Sequence, residues 1–301
     1  VPSHGVFCVA DGMGGEDSGD VASQATVSAV ERELKQEQTD VDVASSRAKK
    51  ARVTNALREA SRWIQKRAEQ RGRGLSGSTV VVLVFDAISP GKAVSLHAGD
   101  SRIYRYRAGD LEQITRDHSL AEESGYSKRQ LPKVFRGMVT RGVGIRDELD
   151  LEETPVDVKE KDIFLLCSDG LTGMIPDRRL RKMIRKHEDS PLSELAAALI
   201  AEANEAGGDD NVSVVLVRVG PLLAVDLKEE EPATIVRALG DAGRAGVGGD
   251  TETETAETPI PGEGARPADK TPDTAQTVQR KKGKPGFFSR LAGSFGKNPD
   301  A

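Results

Sequence analysis

Four stretches of the chain share one grammar, an apolar run joined to an aspartate beside glycine. "FCVADGMGG" (7–15) carries Asp11, "VSLHAGDSR" (94–102) carries Asp100 and "FLLCSDGL" (164–171) carries Asp169. In "AGGDDNVSVVLV" (206–217) the order is reversed, with Asp209 and Asp210 opening the apolar run. Carboxylates at strand ends, with glycines that let backbone carbonyls and water approach, suit hard divalent cations such as Mg²⁺ and Mn²⁺. His and Cys are nearly absent from these turns, which argues against zinc there. One Asp-Gly pair is an ordinary turn signal. Four carboxylates gathered at one place repel one another, and a divalent ion is the usual remedy.

The elements that position these aspartates follow from periodicity. Strands are expected over 78–87, 92–100, 102–115, 162–170 and 211–219, with "RAGD" (107–110) as a hairpin turn inside the third. Asp20 reads as the cap of a helix carrying Val21, Ala25, Ala29, Val30 and Leu34 at helical spacing. A second helix is expected from about Ser46 to Gln70, and a third over 192–207, ending at Gly207. Apolar strands with amphipathic helices between them imply an α+β layered domain.

The 301 residues are enough for one large domain or two ordinary ones, and a formal net charge of −5 leaves no global footprint for nucleic acid. Cys8 and Cys167 lie inside apolar runs and read as buried free thiols in a reducing compartment. No run reaches the ~18 apolar residues of a membrane span. No signal peptide is visible, and a start at Val1 without Met reads as a fragment of a longer protein. The chain divides into 1–220, with globular patterning, 221–278, an acidic linker too polar to offset its ordering entropy, and a basic tail at 279–301.

Six blocks in order, "ADGMGG", "SGSTVVV" (76–82), "AGDSRIYRYRAGDLEQITRDHS" (98–119), "TRGVG" (140–144), "LLCSDGLTGMI" (165–175) and "GGDDNVSVVLV" (207–217), resemble the bacterial metal-dependent serine/threonine protein phosphatases of type 2C. The resemblance spans residues 5–219. It implies a central antiparallel β-sandwich flanked by helix pairs, with a binuclear Mn²⁺ or Mg²⁺ centre at one end. It also implies roles for residues. Asp11 matches the ligand bridging both metals, and the Gly12 carbonyl matches a second-metal ligand. Asp169 and Asp210 match first-metal ligands. Asp100 matches a residue that holds a third, weaker ion with Asp169, or else caps Ser101 and Arg102. Asp209 takes a supporting role. Ser76, Ser78 and Thr79 read as sheet and turn residues, because no His is placed to activate them.

The mechanism implied is attack on phosphorus by a metal-activated water, without a phospho-enzyme. Met13 stands where many relatives place a proton-donating His. Only "VPSHG" (1–5) precedes the first strand, so the family's phosphate-binding Arg and first acidic ligand have no counterpart, and the activity of this chain is open. The segment 120–138 matches a flap whose Lys128, Arg129, Lys133 and Arg136 either meet an acidic phosphopeptide or form a plain exposed face. The tail, with Arg280, Lys281, Lys282, Lys284, Arg290 and Lys297 around Phe287, Phe288, Leu291 and Phe295, either meets an anionic membrane surface or a partner, or stays in solution. The partners implied are phosphorylated proteins, among them a Ser/Thr kinase and its substrates. The protein is expected to be a cytoplasmic monomer. The alternative is a pseudophosphatase, with the same fold kept as a regulatory binding module.

Overall fold

The computed structural model describes residues 4–14, 16–35, 45–72, 76–126, 130–135, 137–222 and 273–279. Two antiparallel sheets carry the fold. The first has the order β1 (Val6–Val9), β4 (Val80–Phe85), β5 (Lys92–Ala98), β8 (Glu152–Asp157). The second has the order β11 (Asp273–Gln279), β10 (Val212–Arg218), β9 (Ile163–Cys167), β6 (Arg102–Arg107), β7 (Asp110–Gln113). A two-residue ladder joins β2 (Gly12–Met13) to β3 (Gly77–Ser78).

The core strands are apolar on both faces, and the alternation sorts their side chains. Val80, Val82 and Val84 pack under helices α1 (Glu16–Lys35) and α2 (Ser46–Gln70), while Val81 and Leu83 point between the sheets. In β9, Ile163, Leu165 and Cys167 pack under α5 (Asp177–Lys186) and α6 (Leu192–Glu205), while Phe164 and Leu166 face the first sheet. A strand buried on both faces reads as a continuous apolar run, here "VVVLVF" and "IFLLC". The result is a four-layer α/β/β/α sandwich, as the resemblance implied.

The expected elements are present, the strands with shorter bounds. The hairpin turn falls at Ala108 and Gly109, both at positive φ (50° and 91°), the geometry of a tight two-residue loop. The second helix spans Ser46–Gln70, and Ser45 caps it by accepting from the Ala48 N–H. The third ends at Glu205, followed by Gly207 and Gly208 at positive φ. Two readings need correction. Asp20 lies inside α1 rather than at its cap. The helix starts at Glu16, one turn earlier, because Gly19 must lie against Gly12. The segment 221–278 is not without structure throughout. The residues Asp273–Gln279, which close that segment and open the tail, run antiparallel to β10, pairing Val212 with Gln279 and Arg218 with Asp273. Thr and Val are good strand formers, and β10 offers an edge of unpaired backbone groups. The rest of that linker, the tail from 280, and Lys128, Arg129 and Arg136 lie outside the described residues.

Both cysteines are free, and burial pushes each thiol up to about 12. They are inert packing residues, as expected.

Candidate metal centre

The site is assembled from both sheets. From the first comes Asp11, just past β1. Pairing of Val9 with Val81 carries the chain to Thr79, which fixes Asp11 from both sides. The Thr79 N–H donates to the Asp11 carbonyl at 2.8 Å, and the Asp11 N–H donates to Thr79 Oγ1 at 3.1 Å. Ser78 Oγ also donates to the Asp11 carbonyl, at 3.0 Å. Thr79 Oγ1 shares a 2.7 Å hydrogen bond with Ser101 Oγ, tying Asp11 to the residue after Asp100. Asp100 itself sits on the connection from β5 to β6, where the chain crosses between the sheets.

The second sheet supplies Asp169 and Asp210. Pairing of Cys167 with Val214 places Ser168 beside Ser213, whose N–H donates to Ser168 Oγ at 3.0 Å. Asp169 follows as the first residue of the short helix α4 (Asp169–Thr172), and Asp210 precedes β10. Gly170 makes the close approach achievable: a methyl group there would stand 2.2 Å from the Asn211 carbonyl oxygen. Gly12 does the same for the first sheet, where a methyl would stand 2.0 Å from the Gly19 carbonyl oxygen.

Asp11, Asp100 and Asp169 are half-buried and Asp210 is exposed. Their convergence shows in the electrostatics of Asp11. Burial pushes its carboxyl well above the usual carboxylate range, and the charges of Asp169, Asp210 and Asp100 push it further, as does a hydrogen bond with Asp169. Asp169, Asp210 and Asp100 therefore lie near enough to Asp11 for their charges to act on it. Asp209 stands exposed beside them. The Arg102 guanidinium forms a bidentate pair with Asp117, both contacts at 2.7 Å. A cleft of about 560 Å³ lined by Tyr106, Asp110, Arg181 and Arg185 lies at the far end of β6 and holds none of the four aspartates.

Sequence reasoning missed the positioning role of Ser78, Thr79, Ser101 and Ser168. The available signal was their place: Ser101 and Ser168 adjoin aspartate turns, and Ser78 and Thr79 open the apolar run that follows them.

The donor set is all oxygen, four carboxylates with the Gly12 carbonyl beside Asp11. Carboxylates that raise one another in this way fit a hard divalent cation, which would offset their mutual repulsion.

Comparison with known proteins agrees with this geometry. A family model described as "Protein phosphatase 2C" matches residues 1–205. "Serine/threonine phosphatase stp" of Listeria monocytogenes serovar 1/2a is 32% identical over 229 residues, covering 70% of this chain and 83% of that protein. Among solved structures, PppA of Pseudomonas aeruginosa is 33% identical with a TM-score of 0.63, covering 72% of this chain and 87% of that one. The catalytic domain of the phosphatase PstP, solved with two manganese ions, is 28% identical with a TM-score of 0.58, covering 72% and 88%. Four strand-end aspartates on a two-sheet sandwich, and a family match over most of its length, make this chain a member of the protein phosphatase 2C family.

Proposed function

We propose that the chain is a metal-dependent protein phosphatase that hydrolyses phosphoserine and phosphothreonine monoesters. The observation that carries this reading is the convergence of Asp11, Asp100, Asp169 and Asp210, raising the Asp11 carboxyl. Asp11, the Gly12 carbonyl, Asp169 and Asp210 would hold two Mn²⁺ or Mg²⁺ ions, and Asp100 with Asp169 a third. When bound, such ions acidify a shared water and neutralise charge on the phosphoryl oxygens.

The chain's own residues define the rest. Asp11 approaches from one sheet and Asp169 with Asp210 from the other, so the carboxylates flank the space where a phosphate monoester is presented. Ser78 and Thr79 are engaged with the Asp11 backbone and with Ser101, which fits a positioning role. On this reading, as the family resemblance implies, attack falls to water and no phosphoryl group is passed to the protein. On this reading the substrates are phosphorylated cytoplasmic proteins, the opposing enzyme is a Ser/Thr kinase, and the protein acts as a monomer. Similarity to serine/threonine phosphatases supports the substrate class.

The test is release of phosphate from a phosphothreonine peptide with and without Mn²⁺. Turnover that requires Mn²⁺ and disappears in Asp169→Asn is the expected result. Mn²⁺ binding without turnover points instead to a regulatory module of the same fold.

A further inference from the structure

A second group of ligating side chains lies behind Asp100. His97 on β5, His118 and Glu152 on β8 each bring a donor atom within 4.8 Å of the others. The two imidazole rings stack, with centroids 4.4 Å apart and planes 16° apart. His97 is fully buried and His118 nearly so, whereas the Glu152 side chain is 39% exposed and opens the group to solvent.

The hydrogen bonds fix where the protons sit. His97 Nε2 lies 2.8 Å from the Arg116 carbonyl oxygen, which only accepts, so Nε2 carries the proton and Nδ1 the lone pair. That Nδ1 is buried and has no hydrogen-bond partner among the described residues. Burial holds the His97 imidazole neutral by lowering its pKa. His118 Nδ1 accepts from the Gly99 N–H at 3.4 Å, so its Nε2 proton points to Glu152 Oε2 at 3.1 Å. A buried, neutral imidazole with an unused lone pair beside a second imidazole and a carboxylate is a nitrogen-rich donor set. It differs in kind from the all-oxygen aspartate cluster.

We propose that His97, His118 and Glu152 form a separate site for a borderline transition-metal cation of the Zn²⁺ class. Two imidazoles and one carboxylate supply three of the four positions Zn²⁺ prefers once one ring turns out of the stack so that the lone pairs converge, and Glu152 provides the entry. Binding at His118 Nε2 moves that ring's proton to Nδ1. The Gly99 N–H then faces a donor instead of an acceptor, and its contact with His118 breaks. The His118 backbone N–H also donates to the Gly99 carbonyl at 2.9 Å, and Gly99 directly precedes Asp100. Occupancy of this site is therefore felt at the aspartate cluster without a shared ligand.

The experiment uses the full chain, stripped of metal, carrying Asp169→Asn to weaken the aspartate cluster. Zn²⁺ is titrated by calorimetry while the imidazole and Gly99 amide resonances are followed by NMR. One Zn²⁺ equivalent should bind, shifting the His97, His118 and Gly99 signals, and Mg²⁺ should leave both imidazoles unshifted. Adding Glu152→Gln should weaken Zn²⁺ at least tenfold while thermal stability is kept. Unmoved imidazole signals, or Zn²⁺ affinity indifferent to Glu152→Gln, overturns the proposal and leaves His97 Nδ1 to a buried water. The NMR arm on protein with Glu152 intact decides the matter even if the double variant does not fold.

Discussion

Thr79 holds Asp11 by its backbone on both sides: the Thr79 N–H donates to the Asp11 carbonyl, and Thr79 Oγ1 accepts from the Asp11 N–H. The bridging aspartate of the proposed centre is thus positioned by a hydroxyl 68 residues away. Thr79→Val keeps the shape and strands the Asp11 N–H. Leaving such a donor unpaired costs about 1–3 kcal/mol. We expect a lower melting temperature and weaker Mn²⁺ affinity, with kcat down by roughly tenfold, equivalent to about 1.4 kcal/mol. Calorimetry and steady-state kinetics on the variant check both.

Gly170→Ala tests the second sheet's contribution. The added methyl meets the Asn211 carbonyl oxygen at 2.2 Å, and backbone must move. Overpacking of this severity costs about 1–3 kcal/mol and separates Asp169 from Asp210. A melt and a Mn²⁺ titration should both show loss, and activity should fall below detection.

Asp11→Asn separates stability from chemistry. The native carboxylate is disfavoured by burial and by three acidic neighbours, so the neutral amide relieves the metal-free protein. In EDTA the variant should melt a few degrees higher, about 1 kcal/mol for a domain of this size. With Mn²⁺ present, the native chain should gain stability and the variant should not, and the variant should be inactive. A variant melting lower than the native chain in EDTA contradicts this account.

Asp86 gives a pH dependence remote from the site. Its carboxylate accepts from Ser46 N–H and Oγ at 3.2 and 2.5 Å, and from the Ile88 and Ser89 N–H groups, each at 2.9 Å. Burial alone would raise its pKa, but the bonds from Ser46, Ser89 and Ile88 outweigh it and the pKa is lowered. A folded-state pKa below the unfolded value of about 3.9 stabilises above that value and is lost as pH falls through the folded pKa. Asp86→Asn should therefore melt lower than the native chain at pH 7, with the gap closing toward pH 3 and below. Paired melts across that range measure it.

The strands Val80–Phe85 and Ile163–Cys167 were legible because burial on both faces leaves an unbroken apolar run. The aspartates were legible because four carboxylates at strand ends have few other uses. β8, "EETPVD", was not legible. It is an edge strand with a proline and mostly outward side chains, held by its register with β5 rather than by its own pattern. β11 is the same case, a polar segment made into a strand by the edge of β10. The helix start before Asp20 was hidden because the contact between Gly12 and Gly19 is tertiary. The Thr79–Ser101 bond spans two strands and has no trace in local spacing.

Asp11 hangs from one sheet and Asp169 and Asp210 from the other, and the sheets are kept apart by a single interleaved layer that includes Phe7, Val81, Leu83, Phe164, Leu166 and Val215. That layer works as a shim. Its thickness sets the gauge between the two sets of carboxylates, so trimming one methylene mid-sandwich should shift them relative to each other from a distance, without any acidic side chain being altered.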